Sequence, residues 1–333
     1  MEGGSYAHDN AFRTGWLAEV FFEANFSPKP DGRRPGRELP LNRTFLWDGA
    51  SCHIPSVYLC EEGLVLDVLL QADTDAVKAW IERWGLTPET ETGDLSPEQE
   101  MRIQNENPLH RDFSPAVCLN GQRFGFAGGC SFVWLSLFPE HAASGWAAVR
   151  DHYRLAPACC WAVHRFTFRC PVQHMESLSV TLTPEKIELP GPHFTAAAPG
   201  DTIRFTDPAG TTHTLTVQCC EQQTLAQSQN DGWTYPQHFV ALDYTVTPPL
   251  SREEFKVMDC SYGDQARKGS YVGAGPSGVI GIIGAAHAVA LLTPQDAEVM
   301  TAASSLYFDP PEQIEWRIVF RVHQHSEITL PLL

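Results

Sequence analysis

No stretch of this 333-residue sequence is apolar for long enough to cross a bilayer as a helix. The longest apolar run, Val279 to Leu292, has 14 residues and is interrupted by Gly281, Gly284 and His287, where a span needs about 20. No basic segment followed by an apolar run opens the chain, so no secretory leader and no membrane partner are expected. Positive charge is scarce: 23 Lys and Arg stand against 40 Asp and Glu, a formal net charge of −17. Such a surface repels phosphate backbones and leaves nucleic acid only a local basic patch. The one candidate, Arg33-Arg34-Pro35-Gly36-Arg37 with Arg43 soon after, lies in a Pro/Gly-rich stretch and reads as a solvated loop. The spacings of several enzyme classes are missing too. No C-x-x-C or H-E-x-x-H marks a metal centre, and no G-x-S-x-G marks a serine nucleophile.

Cysteine is not scarce, but its ten copies do not look like a disulfide framework. Two pairs are adjacent (Cys159-Cys160 and Cys219-Cys220), and most of the rest lie in apolar, strand-like runs. Free, buried thiols in a reducing cytosol are the reading, hence a cytoplasmic location. The sequons at Asn25 and Asn42 then carry no meaning.

A hydrophobic content of 43% with 11% aromatics is ample for packed cores, and the length suits two domains. Asp201 to Cys220 is the clearest stretch. Ile203 and Phe205 alternate with Arg204 and Thr206; after Asp207-Pro208-Ala209-Gly210, His213, Leu215, Val217 and Cys219 alternate with Thr212, Thr214, Thr216 and Gln218. Period two is the pattern of a strand with one buried face, and the tetrapeptide suits a type I turn. Upstream, Trp16 to Phe22 leans towards a strand and Pro28 to Pro40 reads as a loop. Val57 to Leu70 reads as two strands about Glu61-Glu62-Gly63, the second almost wholly apolar as a central strand is. Val77, Trp80, Ile81 and Trp84 take helical spacing between an Asp73 or Thr74 cap and Gly85. Ser96-Pro97-Glu98-Gln99 has the form of a capping box, Asn120-Gly121 of a hairpin turn, and Trp146, Val149 and Tyr153 of a third helix.

From Trp161 onward strand follows strand: 161–170, 178–189, 201–207, 211–220, 239–247 and 314–330. The expected fold is mainly β (α+β overall), with a smaller α+β part over 1–157 and an antiparallel, sandwich-like part over 158–333. Ile203, Phe205, Leu215, Val217, Leu242, Tyr244, Trp316, Ile318 and Phe320 are its predicted core. A short echo links Arg165-Phe-Thr-Phe-Arg169 to Arg317-Ile-Val-Phe-Arg321, too little for a repeat architecture.

Few residues point to chemistry. Gly273-Ala-Gly275-Pro-Ser-Gly278 resembles the phosphate-binding turn of FAD and NAD oxidoreductases, but no buried strand precedes it and no good helix follows. A structural loop is expected, and no cofactor. The adjoining Gly278 to His287 resembles a glycine-rich segment of sodium-pumping decarboxylase membrane subunits, over about a dozen residues; a buried hairpin, Val279–Ile283 and Ala288–Thr293, accounts for it. His323-Gln-His325 would set two imidazoles on one strand face, with His174, His213 or Asp243 as a third ligand; solvated histidines are the expectation, and no metal. Glu188, Asp243, Asp259, Asp264, Glu315 and Glu327 lie where a glycosidase would keep an acid and a base. Trp233-Thr-Tyr235-Pro, in a polar turn with Gln237 and His238 beside it, offers aromatic faces to a ligand. The expected function is a non-catalytic binding or interaction protein, contacting a protein or carbohydrate through Trp233, Tyr235 and His238. A carboxylate-based hydrolase acting on carbohydrate is the alternative.

Overall fold

The computed structural model describes residues 19–26, 32–90, 95–143, 145–172, 174–196, 198–225, 233–268 and 299–333. They form a mainly β architecture of several antiparallel sheets with three α-helices among the described residues, as the alternation predicts. No helix among them is long and apolar enough to cross a membrane. The chain divides into two compact units. Met1–Glu89, Asn107–Glu185 and Gln324–Leu333 make the first; Thr90–Glu106 and Lys186–His323 make the second.

In the first unit one sheet places β1 (Arg37–Trp47), β2 (Ala50–Leu59), β3 (Leu64–Ala72), β7 (Cys160–Phe168) and β6 (Gly128–Trp134) side by side in that order. A second sheet runs β18 (Ile328–Pro331), β8 (Leu178–Pro184), β4 (Phe113–Leu119), β5 (Gln122–Gly125). The apolar sequence of β3 follows from its central place, with both faces covered. Leu64, Leu66, Val68 and Leu70 share a core with Phe113, Val117, Leu178, Val180 and Leu182 of the second sheet. On the other face Leu69 packs with Trp161, Val163 and the indole of Trp146 from α3 (Trp146–Tyr153). Helix α1 (Thr74–Trp84) starts where the Asp73 side chain accepts from the amide of Asp75 and stops at Gly85, φ 60°.

Two tight turns fix the register here. Asn120 and Gly121 take φ of 50° and 83°, the paired positive angles of a type I′ turn, between β4 and β5. Between β2 and β3 the amide of Cys60 donates to the Gly63 carbonyl at 2.8 Å. Gly63 itself has φ 154°, and a Cβ built on it would fall 1.9 Å from the carbonyl oxygen of Phe168. Gly63→Ala is therefore expected to destabilise the protein by about 1–3 kcal/mol, read as an earlier midpoint in urea unfolding; an unshifted midpoint would contradict this geometry.

The second unit has a sheet of β10 (Thr202–Thr206), β11 (Thr212–Thr224), β13 (His238–Thr247) and β16 (Met300–Ala303), and another of β14 (Phe255–Asp259), β17 (Glu315–Val322) and β9 (Ile187–Thr195). A ribbon pairs β12 (Trp233–Thr234) with β15 (Arg267–Lys268). The predicted core residues turn inward: Phe205, Leu215, Val217, Leu242, Tyr244, Trp316, Ile318 and Phe320 are buried, and Ile203 packs partly buried against them, although in β17 the intervening Arg317 and Val319 are buried as well. Phe255 stacks on Phe205 at 5.5 Å in their midst. The turn at 207–210 closes as expected, Gly210 N donating to Asp207 O at 3.0 Å. Helix α2 (Pro97–Glu106) opens with the capping box: Gln99 N donates to Ser96 Oγ at 3.2 Å and Ser96 N to Gln99 Oε1 at 2.8 Å. Asn105 ties its far end to the Glu188 carbonyl of β9 at 2.6 Å.

Several expectations need correction. The strands on either side of 157/158 share sheets, since β7 pairs with β3 and β6, and β8 with β4, and the two compact units divide elsewhere. The change of texture there follows the last α-helix among the described residues, which is not where a core ends. The loop expected to Pro40 gives way to β1 at Arg37. This edge strand tolerates Pro40 because its register shifts between Pro40 and Arg43, where no ladder amide is needed. The described part of 12–26 is irregular rather than a strand. The expected strand 178–189 is two strands, β8 and β9, in different sheets. All ten cysteines are free thiols. Burial pushes Cys52, Cys60 and Cys130 up to about 11, which keeps them protonated and unreactive.

Candidate functional site

The aromatic face expected at Trp233 lies on the ribbon of the second unit. Trp233 is 44% exposed and pairs in register with Lys268. The chain then turns inward: Tyr235 and His238 are half-buried and Pro236 is buried. The frame behind the indole is well tied. Gln237 N and His238 N both donate to the Tyr307 carbonyl, at 3.0 and 2.9 Å, and Tyr307 N returns a bond to His238 O at 2.8 Å. The His238 imidazole bonds Thr224 Oγ1 at 3.0 Å, so its Nδ1 is already engaged within the protein. Close by in sequence, the Arg267 guanidinium lies 4.0 Å over the Phe308 ring. A rigid backbone thus presents one large, exposed aromatic ring with polar groups flanking it, which suits a ligand with a flat apolar face.

The two C-terminal histidines do not form a pair on one strand. β17 ends at Val322, His323 is exposed beyond it, and His325 belongs to the first unit. There its Nδ1 lies 3.4 Å from Asp48 Oδ2, and burial lowers its pKa, with Arg111 acting in the same direction. Two of the three candidate third ligands are engaged elsewhere. His213 is buried between the Pro248 carbonyl (2.8 Å) and Asp207 (3.2 Å), and Asp243 accepts from Thr301 at 2.6 Å. The segments Gly273–Gly278, Val279–Ile283 and Ala288–Thr293 lie outside the described residues.

The carboxylates considered for acid–base chemistry, Glu315 apart, each accept from a donor. Glu188 takes Lys256 at 2.5 Å and Arg321 at 3.2 Å. Asp259 accepts from the amides of Ser261 and Ser305 and from the Tyr307 hydroxyl at 2.6 Å. Asp264 accepts from Phe308 N at 2.7 Å, Glu327 from Thr183 at 2.6 Å, and Glu315 meets His193 Nδ1 at 3.0 Å. A general acid needs a carboxyl held protonated by an apolar pocket or a like charge.

Sequence reading missed a buried polar network in the first unit. Asp67 of β3 faces Arg165 of β7 across the ladder, and both fork nitrogens, Nε and Nη2, bond its carboxylate at 2.8 and 2.7 Å. The third guanidinium nitrogen donates to the Asn25 carbonyl at 3.0 Å. Tyr153 donates to Asp67 at 2.7 Å and shares a 2.7 Å bond with Tyr58. Tyr58 and His152 meet Glu38, which also accepts from Ser56 at 2.5 Å. Burial, then the Asp67 charge, raises both tyrosines well above their ordinary value, so they stay neutral donors. With its groups satisfied by one another, this is a structural network. Its only sequence signal is an aspartate within an otherwise apolar strand.

Comparison with protein-family models, with curated proteins and with solved structures finds no match to this chain.

Proposed function

We propose that this chain is a non-catalytic binding protein that holds its ligand against Trp233, with Tyr235 and Gln237 at the margin of the contact. The carrying observation is the 44% exposure of Trp233, whose backbone pairs with Lys268 and runs on into a segment, Gln237–His238, tied to Tyr307. A large aromatic ring costs free energy in water, and a tied backbone lowers the entropy lost on binding. A sugar ring, or an apolar side chain of a partner protein, has the flat or compact apolar surface that an indole accepts. The hydrolase alternative draws less support, because its carboxylates other than Glu315 are engaged with donors.

The test is a glycan array and a displayed-peptide screen on the purified chain, followed by titration of the best ligand. Loss of the Trp233 ring removes about 1 kcal/mol of stacking, so Trp233→Ala is expected to weaken binding roughly fivefold or more. Equal affinity of the variant for a ligand bound by the parent would dismiss this surface.

A further inference from the structure

In the second unit three strands bring a histidine, a cysteine and a glutamate to one patch. Glu315 begins β17. On one side β9 sets His193 opposite Arg317, and on the other the amide of Cys260, just past β14, donates to the Glu315 carbonyl at 2.9 Å. The side chains converge: His193 Nδ1 lies 3.0 Å from Glu315 Oε1 and 3.7 Å from Cys260 Sγ, and the three ligating atoms all lie within 4.8 Å of one another. Helix α2 supplies a fourth group from behind. Glu98 Oε2 meets His193 Nε2 at 2.8 Å, while Arg102 holds Glu98 Oε1 with Nε and Nη2, both at 2.8 Å.

These contacts pose an electrostatic question. An ionised carboxylate only accepts, so Glu98 fixes the proton on Nε2 and leaves the neutral ring with a lone pair on Nδ1. That lone pair points at a second carboxylate oxygen with a thiol beside it. Two acceptors at 3.0 Å repel unless a proton or a cation lies between them. Ligands of a tetrahedral zinc ion, at bond lengths of about 2.0–2.3 Å, stand roughly 3.3–3.6 Å apart. The observed 3.0 and 3.7 Å bracket that spacing, and the carboxylate behind the imidazole is the usual device for orienting a metal-bound histidine.

We infer that the second unit binds one zinc-class divalent metal ion through His193 Nδ1, Cys260 Sγ and Glu315 Oε1, with Glu98 as the positioning residue for the imidazole. One sulfur, one nitrogen and one oxygen suit zinc, not magnesium or calcium, which take oxygen ligands. The Glu315 and His193 side chains are 58% and 38% exposed, leaving a solvent side where water completes the tetrahedron. Arg317 adds a buried positive charge that the ligands must offset together with the metal's: it is fully buried, its Nη1 lies 3.7 Å from Glu98, and its Nε and Nη2 have no hydrogen-bond partner among the described residues. On binding, the thiol proton passes to solvent, so the divalent charge is balanced by one thiolate and one carboxylate.

The experiment is a cobalt titration of the metal-stripped full chain, followed by zinc displacement. The expected result is saturation at one equivalent, with a thiolate-to-cobalt charge-transfer band and the visible bands of four-coordinate cobalt. Cys260→Ser should abolish the charge-transfer band, and His193→Gln should abolish binding. Glu98→Gln should keep the spectrum with roughly 10–100-fold weaker affinity. Circular dichroism establishes that each variant is folded, and the nearly isosteric serine guards against a packing defect. Absence of a thiolate band in the folded parent at saturating cobalt overturns the proposal and leaves an imidazolium shared by two carboxylates. A band undiminished in Cys260→Ser also overturns it, by assigning the thiolate to another cysteine.

Discussion

Asp67→Ala should lower the unfolding free energy by about 3–5 kcal/mol, because it strands a buried guanidinium. Arg165 is only 5% exposed and Asp67 is wholly buried, so water cannot replace the lost carboxylate. The truncation removes both fork bonds to Arg165 and the acceptor of the Tyr153 hydroxyl. Arg165 Nε and Nη2 are then left without their acceptor, and only Nη1 keeps its bond to the Asn25 carbonyl. What such a loss measures is the cost of an unpaired charge rather than the net worth of the pair, and the two are separable. Replacing both partners, Asp67→Leu with Arg165→Met, is expected to recover most of the loss, since well-packed apolar residues often match a buried ion pair. Urea unfolding of the two singles and the double gives the coupling energy directly. A loss below about 1 kcal/mol in Asp67→Ala would mean that water reaches Arg165.

The second large effect is a dependence of stability on acidity. His164 of β7 lies 5.1 Å from the Phe113 ring and stacks on Phe166. Although the residue keeps some exposed surface, its Nε2 is enclosed without a partner among the described residues. Burial first, and His110 second, hold its pKa down to about 4, against about 6.5 in an unfolded chain. The unfolded state therefore takes the proton more readily. Above about pH 6.5 the ring is neutral in both states and stability is at its full value. Between about pH 6.5 and 4 it drains away as the unfolded chain is protonated, by about 3 kcal/mol in all. His53 and His325, also lowered by burial, act with the same sign. His164→Leu should leave stability near neutral pH little changed, because Nε2 bonds nothing, and should flatten the acid limb. Urea midpoints at half-unit pH intervals decide it, and parallel curves for parent and variant would refute the assignment.

Local chemistry was legible in the sequence wherever one buried face and one wet face gave period two, or where a turn demanded particular residues. The core from Ile203 to Phe320, the capping box at Ser96 and the turn at Asn120-Gly121 all follow from neighbours a few positions apart. What failed was non-local. Arg317 alternates with apolar residues as a solvent-facing side chain does, yet it is buried on a strand face that also meets Glu98 of α2. Asp67 reads as a blemish in an apolar run until Arg165 is brought opposite it. Likewise, the cluster of His193, Cys260 and Glu315 draws on positions 122 residues apart at its extremes, with no spacing rule to announce it. The Trp233 surface was approachable because a tryptophan among turn residues is a local anomaly.

The first unit is discontinuous along the chain, and this orders events during synthesis. Its last strand, β18, adds to β8, and Leu332, only 2% exposed, seals the same core as Leu66 and Val180. The Leu332 amide closes the seam on the Leu178 carbonyl at 2.8 Å. Yet residues 324–333 leave the ribosome after the whole of 186–323. The half that begins first is thus the half that finishes last. Through that interval β8 waits with an open edge, bare amides and carbonyls that invite pairing with another nascent chain. No charged side chain of β8 guards that edge; Ser179, Thr181 and Thr183 line it instead.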